Sequence, residues 1–330
     1  MTDAKTKSSN YIIYMILVVA IGVITASTGD ISQTMLSAAA GGGLFAALCM
    51  TKRKIWASLI PVIATPGIVY LMTRSLDCTA LSLSFLPVGL LVYYGMAKKL
   101  SRMQTVIRVL GVMLLFYGAV QAVYVYVLFG SLTPETISKF VELNLDVFRI
   151  FYSQLREFYI ANGLEIDKLF TEELIEHVIE ETRVMWFGYA LAAFGVLGFV
   201  STAIAKALCK KEGAFPKECG DWKLVFSKVG ALVFIFAYIA GNLYSSETEG
   251  LYLAFAINAI CFGLSPAVLY MGASKILGKI RASKRTSALI TFLIAISVFG
   301  HYVLLFMLIV GIYVTLTYEE KDAVSPTEEK

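Results

Sequence analysis

Long runs of apolar residues dominate this chain and restrict what it can fold into. The runs are residues 11–27, 35–50, 55–72, 79–97, 106–130, 183–207, 224–244, 251–273 and 287–317. Most approach the roughly 20 residues that an α-helix needs to cross about 30 Å of hydrocarbon. With 58% hydrophobic and 16% charged residues, the chain is too apolar for a soluble domain. The pattern predicts an all-α polytopic membrane protein, a bundle of about nine transmembrane helices with eight to ten as the range.

The last run, residues 287–317, is too long for one straight crossing. As a single helix it would measure roughly 46 Å at 1.5 Å per residue. A strongly tilted helix fits the pattern, and so does a hairpin of two short helices broken at Gly300 and His301. The two alternatives put the C-terminus on opposite sides of the membrane.

One long polar segment, residues 131–182, separates the apolar runs into two blocks. It holds eleven acidic and four basic residues, so its net charge of −7 is opposite in sign to the +4 of the whole chain. The predicted organisation is a five-span membrane block at 1–130, the acidic insert at 131–182 and a block of four or five spans at 183–317. A polar tail, residues 318–330, is predicted to be disordered.

Basic residues predict the orientation of the chain. If the N-terminus is cytoplasmic, nineteen of the twenty-eight lysines and arginines lie on the inner side, and the opposite short loops hold only Arg74. Because short cytoplasmic loops carry an excess of lysine and arginine, the N-terminus is predicted to be cytoplasmic and the insert extracytoplasmic. We therefore expect a multi-pass plasma-membrane protein. Its basic inner face favours anionic lipid headgroups and is no indication of nucleic-acid binding.

The acidic insert has the pattern of two amphipathic helices. Thr133 and Pro134 are typical of a helix N-cap and first turn, and Asn162 followed by Gly163 predicts the end of that helix. A second helix is expected to begin near Leu164. It places four carboxylates at helical spacing, at Glu172, Glu173, Glu176 and Glu180. They are interpreted as a solvated face, because calcium loops alternate oxygen ligands around a glycine and this segment does not.

The sequence contains no recognisable catalytic, metal or cofactor motif. It has two histidines, too few for a paired-histidine metal motif, and its five cysteines are scattered. The triplet Gly41–Gly43 lies inside an apolar run, so close packing of helices is expected of it instead of phosphate binding. All 24 acidic residues lie outside the runs, whereas proton-coupled carriers usually place one within a span. We therefore expect no enzyme and no self-energised proton-coupled carrier.

Neutral polar residues are the candidate ligand-binding groups of the spans. They recur at helical spacing and are Tyr117, Gln121, Tyr124, Tyr238, Asn242 and Asn258, together with His301. Each also fits the simpler role of a hydrogen bond between helices. Taken together, aromatic and amide side chains suit a neutral or zwitterionic small molecule or lipid, bound in the outer half of the bundle.

Short motifs in the C-terminal third carry a family resemblance. They are Phe215-Pro216, Trp222-Lys223-Leu224 at the start of a run, Asn258 leading to Gly263-Leu264-Ser265, and Gly311. With the overall layout of spans and insert, they make the chain resemble the YybS-like predicted membrane proteins of bacteria. Val225 departs from that pattern, which has proline there, and Tyr313 departs near the end. The family is similar to the substrate-binding components of energy-coupling-factor vitamin transporters, which implies a small-molecule ligand and an ATPase partner.

Three functional hypotheses remain open on these grounds. The first is a non-enzymatic membrane protein that binds a small molecule or lipid and assists its transport with a membrane-protein or ATPase partner. The second is a membrane scaffold whose extracytoplasmic helices dock an envelope protein. The third is an enzyme that acts on lipids through the outer acids Glu172 and Glu176.

Overall fold

The computed structural model describes residues 3–28, 31–51, 55–75, 78–79, 82–163, 171–220, 222–243, 251–282 and 286–317. Within these ranges the chain is helical and has no strand, so the predicted all-α class is confirmed. The helices are α1 (Asp3–Thr28), α2 (Ile31–Met50), α3 (Ile55–Thr73), α4 (Phe85–Ala97), α5 (Arg102–Phe129), α6 (Pro134–Ala161), α7 (Glu172–Lys211), α8 (Lys228–Leu243), α9 (Leu251–Ala282) and α10 (Thr286–Thr317). The predicted polar tail lies outside the described residues.

Four of these helices contain a segment long and apolar enough to cross a membrane. The segments are Arg102–Phe129, Glu172–Lys211, Leu253–Ile280 and Ser297–Thr317. Five shorter apolar segments accompany them in the described part of the chain, at Ile12–Ile24, Ala38–Met50, Ser58–Thr73, Phe85–Ala97 and Lys228–Gly241. The described helices therefore support a membrane protein with four clear candidate spans. This number is smaller than the nine that the apolar runs predict.

The chain divides into two compact units. The first comprises residues 1–111, 192–236 and 263–330, and the second comprises residues 112–191 and 237–262. The first therefore contains α1 to α4 and α10, and the second contains α6. Helices α5, α7, α8 and α9 each contribute residues to both.

Helix α6 begins and ends where its local sequence predicts. The Thr133 hydroxyl accepts a hydrogen bond from the Thr136 backbone N–H at 3.3 Å, and the Thr136 hydroxyl accepts one from the Thr133 N–H at 2.9 Å. This reciprocal pair satisfies two N–H groups that a helix start otherwise leaves without partners. Pro134 occupies the first turn. At the other end, Gly163 has a φ of +75°, which glycine adopts without a steric penalty.

Helix α7 is continuous across the predicted junction between the insert and the second membrane block. The sequence indicates an amphipathic helix up to Thr182 and a separate span from Arg183, but one 40-residue helix covers Glu172–Lys211. No glycine or proline lies between Glu172 and Phe187, so nothing interrupts the backbone hydrogen bonds where the hydropathy changes. The predicted start of that helix near Leu164 lies outside the described residues.

Helix α10 bends at one residue instead of reversing there. Phe299, beside the predicted break at Gly300 and His301, has non-helical backbone angles of φ −119° and ψ 33°. The helix continues on both sides of it, from Thr286 to Thr317. The described residues therefore form two helical segments joined at a kink, directly beside the predicted break.

Glycines allow close helix contacts inside the first unit, as predicted for Gly41–Gly43. A Cβ added to Gly42 would lie 2.6 Å from a Val88 methyl group on α4, and one added to Gly43 would lie 2.7 Å from the Ser201 carbonyl oxygen on α7. Real Cβ atoms do not approach other atoms so closely. The predicted packing role of this triplet is confirmed.

Candidate functional site

The polar insert folds as an antiparallel pair of helices, formed by α6 and the first turns of α7. Leu145 of α6 is 4% exposed and packs with Ile175 and Ile179 of α7, the latter fully buried. Val141 and Tyr152 pack around this cluster. We call this pair, the described residues 134–161 and 172–183, the α6–α7 hairpin.

Three arginine–glutamate pairs join the two helices of the hairpin. Arg149 donates from Nε to Glu176 Oε1 at 2.9 Å and from Nη2 to Oε2 at 3.2 Å. Arg183 Nη2 donates to Glu142 Oε1 at 2.5 Å, and Arg156 Nη1 lies 3.7 Å from Glu172 Oε1. On α6 the paired residues 142, 149 and 156 are seven apart, which is two helical turns and therefore one face.

The same pairs account for most of the predicted carboxylate row. Glu172 and Glu176 pair with arginines of α6, and Glu180 pairs with Arg183 at 3.1 Å. All four carboxylates of the row are exposed, so the interpretation as a solvated face is confirmed. The structure adds partners at this face, because Glu172 and Glu176 lie beside arginines of α6 and Glu180 lies beside Arg183 of its own helix. In the described part of the chain, no group of three or more histidine, cysteine or acidic residues is arranged to hold a metal ion.

The ion pairs also shift the charge states of the hairpin in a definite direction. Hydrogen bonds to Glu176 and Asp146 raise the pKa of the Arg149 guanidinium. Near the start of α6, the hydrogen bond from Lys139 lowers the pKa of Glu135. Both effects stabilise the charged forms, so the hairpin keeps its charged edge at neutral pH.

A second apolar face of α6 has no cover within the described residues. It consists of Leu143, Val147, Ile150, Phe151 and Phe158, which are 49%, 61%, 58%, 56% and 62% exposed. These positions fall within roughly 100° of the helix circumference, since successive residues turn by about 100°. We call this set the α6 stripe. It is distinct from the face of Leu145 that packs on α7.

The predicted ligand-binding residues are divided between the two units. Tyr117, Gln121 and Tyr124 lie on α5 in the second unit, the first two half-buried and Tyr124 36% exposed. Tyr238, on α8 in the same unit, is 41% exposed. His301 lies on α10 in the first unit and is exposed.

Asn258 is the predicted ligand residue with the most defined surroundings. Its side-chain oxygen would lie 3.8 Å from a Cβ added to Gly241 on α8, and its carbonyl oxygen 3.1 Å from one added to Gly188 on α7. Helices α7 and α8 therefore both approach α9 closely here. The contact brings Asn258 near the chain position of Asn242, whose side chain lies outside the described residues. An apolar groove of about 400 Å³ lies elsewhere, between α1 and α3, and none of the predicted ligand residues lines it.

Arg102, one of the nineteen basic residues predicted to lie on the inner side, is a buried charged residue. It is 3% exposed. Its Nε donates to the Thr202 hydroxyl at 3.0 Å, Nη1 to the Tyr270 hydroxyl at 2.6 Å and Nη2 to the Phe199 carbonyl oxygen at 3.1 Å. The guanidinium carbon also lies 4.9 Å from the centre of the Tyr270 ring. Arg102 thereby ties α5 to α7 and α9.

The tryptophan of the family-like motif has a structural role. Trp222 is 4% exposed, and its indole N–H donates to the Leu100 carbonyl oxygen at 2.8 Å. Lys99 lies 3.5 Å from Glu218 in the same region. These contacts hold the segment after α7 against the turn between α4 and α5.

No protein-family model, curated protein or solved structure matches this chain. The resemblance to the YybS-like proteins therefore stays a prediction. Any function assigned to the chain rests on the geometry described above.

Proposed function

We propose that this chain is a non-enzymatic scaffold of the plasma membrane that crosses the bilayer nine times and docks an envelope protein on its extracytoplasmic α6–α7 hairpin. The observation that carries the proposal is the hairpin itself. Its two helices are joined by three arginine–glutamate pairs and a buried cluster at Leu145, yet the α6 stripe remains uncovered. A rigid polar element with an exposed apolar face is typical of an interaction surface.

Helix directions within the first unit support the nine crossings. Helices separated by an even number of crossings run parallel in an alternating chain, and consecutive ones run antiparallel. Gly195 meets Pro266 and Phe199 meets Tyr270, so α7 and α9 are parallel. Gly41 meets Phe85 and Phe45 meets Gly89, which makes α2 and α4 parallel too.

The antiparallel contacts in the same unit fit this order as well. Arg102 contacts Thr202 and Val106 contacts Gly198, so α5 and α7 run in opposite directions. Helices α9 and α10 do the same, because Gly272 meets Met307 while Gly311 meets Val268. Five short apolar helices in addition to the four long ones then complete nine crossings.

Charge supports a cytoplasmic N-terminus. Because α5 and α7 are antiparallel, the start of α5 lies near the end of α7. These two helix ends carry Lys98, Lys99, Lys210 and Lys211. The Tyr14 hydroxyl of α1 donates to Glu212 at 3.0 Å, so the N-terminal helix begins at this basic end. Because basic residues are retained in the cytoplasm, the hairpin at the opposite end of α7 is extracytoplasmic.

The test of the scaffold is to remove the hairpin. Replacing residues 134–181 with a short glycine–serine linker leaves the apolar runs intact. We expect the envelope proteins that crosslink to the full chain in intact cells to be lost from this variant. An unchanged set of crosslinked proteins, with the variant still inserted in the membrane, would contradict the scaffold.

A second function is favoured by one observation, the position of Asn258. Its side chain lies where α8 approaches α9, in the same unit as the half-buried Tyr117 and Gln121. A small molecule or lipid bound there would be transported with an ATPase partner. This function predicts a ligand-dependent rise in the unfolding temperature that Asn258→Ala abolishes and hairpin removal preserves. Absence of any such rise across vitamin, nucleobase and lipid panels would count against it.

A further inference from the structure

The distal part of the α6 stripe lies at the level of charged residues and not at the level of the apolar part of α7. Phe151 and Phe158 are each two residues along α6 from Arg149 and Arg156, on the opposite side of the helix, and the partners of these arginines on α7 are Glu176 and Glu172. Between Glu172 and Arg183, α7 rises about 16 Å at 1.5 Å per residue before its apolar segment begins. Carboxylates and guanidinium groups stay out of the hydrocarbon core. The two phenylalanines at their level are therefore not covered by lipid chains.

We propose that the α6 stripe binds a basic amphipathic helix of a partner protein, an inference that rests on the proposed scaffold function. Val147, Phe151 and Phe158 extend about 16 Å along α6, which matches three turns of a partner helix. An apolar helix face laid along a complementary surface is a common recognition mode, with anchors one to two turns apart. Aromatic anchors of this kind usually dominate the binding energy.

Charge indicates which helix would fit. The described part of the insert, residues 131–163 and 171–182, carries nine acids and three bases. Most are paired, but Glu157 is exposed and has no ion-pair partner among the residues that the structure describes. It borders the stripe, about 20° around α6 from Ile150, so lysine or arginine at the edge of a partner helix would complement it. A second copy of this hairpin would instead bring two acidic surfaces together.

The test uses the full-length protein in phosphatidylcholine nanodiscs and a synthetic probe. The probe is a fluorescein-labelled 18-residue leucine–lysine helix, and its fluorescence anisotropy is compared with that in empty nanodiscs. Phe151→Ser combined with Phe158→Ser is expected to weaken binding at least about tenfold, as the loss of two aromatic anchors does. The matched control is Ile160→Ser. Ile160 is also exposed, at 43%, but it lies about 200° around the helix from Phe158.

A charge-reversed variant keeps the inference testable if the double serine variant fails to fold. Glu157→Lys changes only an exposed side chain. It is expected to weaken binding of the leucine–lysine peptide and to strengthen binding of a leucine–glutamate peptide of equal length. Equal binding of both peptides to the unmodified protein would overturn the assigned chemistry.

Three further outcomes would overturn the inference. One is probe binding that equals the binding to empty nanodiscs, and another is unchanged binding by both variants. The third is a dimer of the chain that Phe151→Ser with Phe158→Ser dissociates, which would identify a second copy as the occupant. If the stripe variants keep the crosslinked envelope proteins that hairpin removal loses, the scaffold stands and the partner binds another face.

Discussion

At the scale of single residues, Arg102 shows how a charge is accommodated inside a largely apolar protein. Buried charges are normally paired or fully hydrogen-bonded. Arg102 has hydroxyl and carbonyl partners instead of a carboxylate, namely Thr202, Tyr270 and the Phe199 carbonyl. These partners are distant in sequence, Tyr270 by 168 positions. Local patterns in the sequence therefore had no means of predicting its burial.

Replacing Arg102 is expected to destabilise the helix packing. Arg102→Ala removes a donor from three acceptors, two of them buried, and opens a cavity, so the free energy of unfolding should fall by about 3 kcal/mol. Unfolding by sodium dodecyl sulfate in mixed micelles measures the change. The control is Arg108→Ala, because Arg108 is exposed and only its contact with the Tyr94 ring is lost. That change should stay within about 1 kcal/mol, and an equal loss for both variants would contradict the role of Arg102.

The arginine–glutamate pairs of the hairpin should each contribute little alone. Arg149 and Glu176 are partly exposed, at 31% and 56%, so solvent screens their attraction. A double-mutant cycle with Arg149→Ala and Glu176→Ala is expected to give a coupling of about 0.5 kcal/mol that decreases in high salt. A coupling that does not respond to salt would contradict the electrostatic account of this edge.

At the scale of helices, the sequence predicted those helix ends that are determined by residues close in the chain. Thr133, Pro134 and Gly163 act within a turn of the chain, and α6 begins and ends where they indicate. The continuity of α7 was missed, because a change in hydropathy at Thr182 was interpreted as a boundary. Helical hydrogen bonds need suitable φ and ψ angles and a backbone N–H donor, and no residue near Thr182 removes any of these.

Glycine contacts between α9 and α10 give a test of helix packing. A Cβ at Gly272 would overlap the Met307 carbonyl group, whereas one at Gly278 on the same helix would meet nothing within 4 Å. Gly272→Ala should lower the free energy of unfolding by about 1–3 kcal/mol. Gly278→Ala should leave it unchanged or raise it by up to about 1 kcal/mol, because alanine favours helix. Equal effects at both positions would show that the two helices do not touch at Gly272.

At the scale of the whole molecule, the order of helices determines the side on which the chain ends. The proposed nine crossings from a cytoplasmic N-terminus would put Thr317, at the end of α10, outside the cell. An alkaline phosphatase domain fused after Thr317 should therefore be active, and a green fluorescent protein at the same site should be dark. The reverse result would mean an even number of crossings, as expected if α10 formed a hairpin of two spans.

The sequence anticipated the all-α membrane class but not the candidate site. Composition and apolar runs determine whether a chain enters a bilayer. The exposed stripe of α6 was not singled out, because Leu145 on the buried face and Phe151 on the exposed face are both apolar. Only the position of α7 distinguishes them.

The central proposal is that the α6–α7 hairpin lies outside the cell and the basic loops lie inside it. Single cysteines at Glu157→Cys and Lys211→Cys, in a chain whose five native cysteines are replaced, test it with a membrane-impermeant maleimide. The account predicts that intact cells label position 157 at once and position 211 only after permeabilisation. Labelling of position 211, but not 157, in intact cells would contradict it.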